Sequence, residues 1–205
     1  MATAIAGCAE PAVPLLRAAP AGYLLGIDQL VSPDFRLDTA PHSLTAADIA
    51  GTDRTAAQRL TAAGLLAAAS EDFFRAVGSL ALADGPVQIR DTVLEFQAAT
   101  GAATVYSADV SRLDAVRGSA SVSTGSLGDS AHATTRTAPT AAGVTAVEIT
   151  VEWRLDNLLD VLVVRGREGG TRPDDALLLA HRQTVVELGL ATPAPRAAGS
   201  ATAGR

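Results

Sequence analysis

The order of patterns along this chain predicts an α+β fold: one domain with a curved antiparallel sheet of about five strands and helices packed on one face. Three observations carry that expectation. First, Val147, Ile149, Val151, Trp153 and Leu155 alternate strictly with Glu148, Thr150, Glu152, Arg154 and Asp156. Period two is the signature of a strand with one face in a core and one face wet. Second, Asp156-Asn157 supplies turn chemistry, because both tolerate left-handed backbone and bond their own main chain. The run that follows, Leu158 to Val164, is apolar at six of its seven positions and broken only by Asp160. A strand apolar on both sides belongs in the middle of a sheet or under a second layer. Third, Gly166, Gly169 and Gly170 make a corner that leads into a helix, with Thr171 as N-cap and Pro173 and Asp174-Asp175 in the first turn. Leu177, Leu178, Ala180, His181, Val185 and Leu188 recur at three- and four-residue spacings as its apolar face, and Gly189 closes it. The succession of strands and helices does not suit a doubly wound parallel sheet.

The earlier elements follow the same logic. Residues 1–20 are Pro- and Ala-rich and read as a leader or linker, the domain spans 21–190, and 191–205 read as a disordered tail. Tyr23 to Val31 suits a first strand ended by Ser32-Pro33. Phe35 and Leu37 alternate with Asp34, Arg36 and Asp38. Ser43-Leu44-Thr45 opens a short helical turn that Gly51 stops, and Asp53 caps a helix to about Ala63. Residues 64–76 fit either a continuation of that helix, which Ala67 to Ala69 favour, or a strand into Phe73-Phe74, the preferred reading. Asp84-Gly85-Pro86 is a turn, and Val87 to Phe96 is a strand whose alternation slips near Asp91, as a bulge would explain. Thr100 caps a helix carrying Ala102, Val105, Tyr106, Asp109, Val110, Leu113 and Val116 on one side. Residues 118–141 are rich in Ser, Thr, Gly and Ala, and fit either a loop or two polar-faced edge strands around Gly125 to Asp129.

Composition excludes several classes. The chain of 205 residues has net charge −6, which argues against a nucleic-acid footprint. No run reaches the ~18 apolar residues of a membrane span. All 16 basic residues are Arg, and Asn157 is the single Asn; this bias fits a GC-rich genome, so Arg and Ala counts say little about function.

Catalytic chemistry is thinly served. His42, His132 and His181 are far apart and Cys8 is the one cysteine, so no metal-ligand spacing exists and no metal or cofactor is expected. There is no G-x-S-x-G elbow, and Ser126, Asp129 and His132 are too local for a spatial triad. Gly166 to Gly170 with Arg165, Arg167 and Arg172 could cradle an anion, but reads more simply as a sheet-to-helix corner. Trp153 is most simply core; the sharper reading makes it a pocket wall, with Arg154, Arg165 and His181 as its polar companions. No residue is assigned a catalytic role.

Ile5-Ala6-Gly7-Cys8 resembles a bacterial lipobox, whose cysteine receives a diacylglycerol. The small residues suit a peptidase pocket, and a Pro-containing tether follows. If the native start lies upstream, the expectation is a lipid-anchored protein of the cell envelope; otherwise the chain is cytoplasmic.

The stretch from Arg154 through Asn157, Leu158, Leu162 to Val164, Gly166 and Gly169-Gly170, then Asp174 to Ala176, Leu179-Ala180 and Gln183, carries a likeness. It resembles secreted or lipid-anchored domains of actinobacteria, in which a Val-rich hairpin leads through a Gly-Gly corner to a closing helix. The likeness covers Pro41 to Gly189 and extends to PsbP-like lipoproteins and to the extracellular sensor domains of mycobacterial kinases. It implies a curved antiparallel sheet with a cleft, an extracytoplasmic location and no catalytic motif. The leading expectation is therefore a non-catalytic envelope domain that binds a small-molecule or protein ligand through an apolar pocket, with no closely coupled titratable pair. The alternatives are a cytoplasmic homodimer joined through the Leu158 to Val164 strand, and a small enzyme using His132 or His181 with a nearby Asp.

Overall fold

The structure is a computed structural model and describes residue 16 and residues 18–190. Cys8 and the tail 191–205 lie outside the described residues. Seven strands form one fully antiparallel sheet: β1 (Phe35–Ser43), β2 (Leu65–Arg75), β3 (Pro86–Phe96), β4 (Ser119–Val122), β5 (Ser130–Pro139), β6 (Thr145–Leu155) and β7 (Leu158–Arg167). Their order is β1-β2-β3-β7-β6-β5-β4. The sheet has seven strands where five were expected, because residues 118–141 form β4 and β5 rather than a loop.

The doubly apolar strand lies at the centre. β7 pairs with β3 on one side and β6 on the other. Its main chain is thereby used up on both sides, so the alternative homodimer has no free strand edge at Leu158 to Val164 to pair through. The β6–β7 hairpin turns at Asp156, whose φ is 52°. Asn157 contributes more than turn propensity. It is buried, and its side-chain amide donates to the Leu16 carbonyl at 3.0 Å and the Phe96 carbonyl at 3.1 Å.

Helices cover both faces of the sheet, not one. Alternation decides which residues go where. On one face Val147, Ile149, Val151, Trp153, Leu162 and Val164 pack against Ala176, Leu179 and Ala180 of α4 (Pro173–Leu190). On the other, Leu94, Phe96 and Leu159 pack against Ala102 and Val105 of α3 (Ala99–Asp114). The short helices α1 (Ala46–Ala50) and α2 (Arg54–Ala62) flank α3 there through Ile49 and Leu60. Gly101 lets α3 approach α2: a Cβ at this position would lie 2.1 Å from the Ala63 carbonyl oxygen.

Local details correct four sequence readings. Tyr23 to Val31 is not a strand; 3-10 turns at Pro20–Gly22 and Ile27–Gln29 fold it over the α4 face, burying Tyr23, Leu24, Leu25 and Leu30. α3 begins after Ala98 with no side-chain cap, so Thr100 lies inside it. Thr171 is not the cap of α4. Its hydroxyl donates to the Gly85 carbonyl at 2.9 Å, and Asp175 instead accepts from the Arg172 N–H at 2.9 Å. The register of β3 runs unbroken through Asp91, so there is no bulge there. Thr45 and Asp53 cap α1 and α2 as their sequences suggest.

Candidate functional site

Two regions of the sheet gather chemistry, one on each face. On the α3 face the register builds a cross-strand row. Arg136 of β5 stands opposite Glu148 of β6, which stands opposite Arg165 of β7. Arg136 Nη2 donates to Glu148 Oε1 at 2.7 Å, and Arg165 Nε donates to Glu148 Oε2 at 2.7 Å. The next rung is Thr134, Thr150 and Val163. Arg112, Leu113 and Val116 at the end of α3 form a wall above it, closing a cleft of about 250 Å³. Three guanidiniums and one carboxylate line this cleft, an excess of positive charge beside two threonine hydroxyls. Bidentate guanidinium forks suit carboxylate and phosphate oxygens. The C-terminal end of α3 contributes only a partial negative charge in return.

On the α4 face the inward positions carry acids. Glu71 of β2 stands opposite Asp91 of β3, and their rung continues into Leu162. Asp160 of β7 and Glu187 of α4 extend the group, and all four are nearly or fully buried. Burial pushes Asp91 up to about 7, although the Leu25 N–H (2.8 Å) and the Gln183 amide favour its charged form. Burial likewise raises Asp160 well above the usual carboxylate range, with Glu187 adding to the effect. Glu187 rises to about 7 through burial, offset in part by polar contact with Asp160 and the Trp153 indole. Gln183 Nε2 reaches Asp160 Oδ1 at 3.5 Å. Asp160 and Glu187 are buried acids in direct contact, contrary to the expectation that no such titratable pair would occur. They are sealed under α4, so substrate has no route to them. Among the described residues no three His, Cys, Asp or Glu are placed to hold a metal ion.

Glu71 is the member of this group that meets open space. It sits in a cleft of about 330 Å³ walled by Leu24, Leu25, Ile27, Leu37, Pro41 and Phe73. Burial, reinforced by Asp91, raises its carboxyl to about 8.

The residues singled out in the sequence do not converge. Arg165 lines the α3-face cleft. Trp153 is fully buried core on the opposite face. Arg154 is committed to Ser130, the Asp156 carbonyl and Asp129. His181 is exposed, because the inward positions of α4 are Ala176, Leu179, Ala180, Gln183 and Glu187. Leu178, Val185 and Leu188 therefore face out. His132 Nε2 lies 3.0 Å from Asp114 Oδ1 but off the line of a hydrogen bond, and it lines neither cleft. Asp129 is held by the Asp156 N–H at 2.8 Å, away from any role with Ser126. The Gly166–Gly170 corner is closed by contacts with the turn before β3, where the Gly85 N–H donates to the Gly170 carbonyl at 2.8 Å. Arg112, Arg136 and Glu148 of the α3-face cleft went unmarked in the sequence. The signal for two of them was present, since opposite charges two positions from Thr134 and Thr150 become cross-strand neighbours once β5 and β6 pair.

No family model matches the chain, and no curated protein matches it. Among solved structures it is similar to the extracellular domain of PknH from Mycobacterium tuberculosis, with a TM-score of 0.56 and 12% identity. The match covers 86% of this chain and 97% of that one. The chain shares its fold with that domain, in line with the resemblance to kinase extracellular sensor domains. No described helix is long and apolar enough to cross a membrane.

Proposed function

We propose that this chain is a non-catalytic, extracytoplasmic ligand-binding domain, and that its ligand is a small carboxylate or phosphate anion held in the cleft between α3 and the sheet. The observation that carries the reading is the row Arg136–Glu148–Arg165 facing Arg112 across an open cavity. Ion pairs between exposed side chains hold a sheet together only weakly. Two arginines on one glutamate leave guanidinium N–H groups and net positive charge directed at the cavity, as an anion site requires. An extracellular domain of the same fold supports the location, and tethering through Cys8 would complete it.

Calorimetric titration with citrate and with inorganic phosphate tests the site. Binding of either at low salt, weakened at least tenfold by Arg136→Ala together with Arg165→Ala, supports it; a well-folded wild type that binds neither excludes it. Fractionation of the native host with and without Cys8→Ser tests the tether. Wild type in the membrane and mutant released is the expected pair, and both remaining in the cytosol overturns the envelope location.

A further inference from the structure

We infer a second binding site on the opposite face of the sheet: the Glu71 cleft takes a primary ammonium group attached to a compact apolar body. The inference goes beyond the anion reading and does not depend on it. Glu71 is 4% exposed, and its Oε1 has no hydrogen-bond partner. An acid left unpaired in an apolar wall is costly, and such groups ask for a partner. Among the described residues, no partner is supplied. The β1 and β2 neighbours Leu37, Pro41 and Phe73 are uncharged, as are the residues that the N-terminal turns contribute. The charged group facing Glu71 is Asp91 of β3, which repels it. An ammonium ion in the cleft answers both needs at once, with N–H donors for the Glu71 carboxylate and a counter-charge that Asp91 reinforces. About 330 Å³ of space with apolar walls accommodates a body of roughly phenyl size.

Because the Glu71 carboxyl holds its proton up to about pH 8, entry of the ammonium at pH 7 expels that proton to the buffer. The probes are 2-phenylethylamine, 2-phenylethanol and 3-phenylpropanoate, titrated calorimetrically into the whole chain at pH 7 in two buffers of different ionisation enthalpy. The amine is expected to saturate one site with release of about one proton or somewhat more, because Asp91 beside Glu71 also holds part of a proton at pH 7. The alcohol and the acid should bind at least tenfold more weakly. Glu71→Gln, which removes the ability to ionise, should weaken the amine at least tenfold, with its circular dichroism unchanged. Leu37→Arg at the rim, which tethers a cation in the cleft, should block the amine independently. Failure of the amine to bind folded wild type overturns the inference. So does equal binding to Glu71→Gln, or alcohol binding as tight as the amine.

Discussion

On the α3 face Glu148 accepts hydrogen bonds from Arg136 and Arg165 across two neighbouring strands. On the α4 face Asp91 stands opposite Glu71, and the rung continues into Leu162, with no cation on it. Both are acids at alternate positions of the same sheet. The first lies between two guanidiniums at the open cleft. The second is dry, so it holds a proton into the neutral range. Acid count along a strand therefore says little about chemistry; the layer packed above each acid decides whether it is a surface ion or a proton store. The comparison also locates the two clefts. The arginine-rich one lies where α3 ends and leaves the sheet bare, and the acidic one where the N-terminal turns stop short of β1.

If the α4 face is the packed layer and the α3-face row a solvated one, truncations should differ most sharply between them. Trp153→Ala removes a fully buried indole and is expected to cost about 3–5 kcal/mol. Urea unfolding measures it, and a loss below about 1 kcal/mol would contradict the assignment of Trp153 to the core.

The second difference is in pH dependence. Glu71, Asp91 and Glu187 of the α4 face have folded values raised above their ordinary ones, to about 8, 7 and 7, and Glu152, buried beneath α3 on the other face, rises to about 8. A raised folded value means the native state binds protons more tightly than the unfolded chain. Their contribution is therefore fully present below the unfolded values near pH 4 and is lost as pH climbs through 7 and 8. The urea midpoint is expected to fall steadily from pH 5 to pH 8, each group adding up to about 1.4 kcal/mol per pH unit over its window. Asp91→Asn and Glu187→Gln should each flatten the slope. A midpoint that rises over that range would show that the acids are charged in the native state.

The smallest effect belongs to the α3-face row. Arg136→Ala is expected to change stability by about 0–1 kcal/mol and to do so less in high salt. A loss of several kcal/mol would mean that the row is structural, and that its arginines are not free to meet a ligand.

Much of this was legible in the residues. The strict alternation of Val147 to Leu155 gave β6, the doubly apolar Leu158 to Val164 gave the central strand, and Thr45 and Asp53 marked two helix starts. Two of the misread elements share one physical reason. Asp91 breaks the apolar alternation of β3 and suggests a bulge, yet it points inward in an unbroken ladder. Gln183 and Glu187 look like the wet side of α4, yet they face Asp160, which turns the apolar stripe of Leu178, Val185 and Leu188 outward. Pattern reading assumes that polar means exposed, and buried acids that pair with one another across the fold invert it. The α3-face cleft was hidden for a different reason. Its arginines come from α3, β5 and β7, so only the strand order brings them together. The pairing of β5 with β6 was itself unresolved in a Ser/Thr-rich stretch.

The most direct test of the binding reading is amide chemical-shift mapping of the chain titrated with citrate at low salt. Shifts concentrated at Thr134–Arg136, Glu148–Thr150, Val161–Arg165 and the last turn of α3, and absent from Arg136→Ala with Arg165→Ala, are the predicted result. Shifts spread over arginines on every surface, or concentrated on the α4 face, would contradict it.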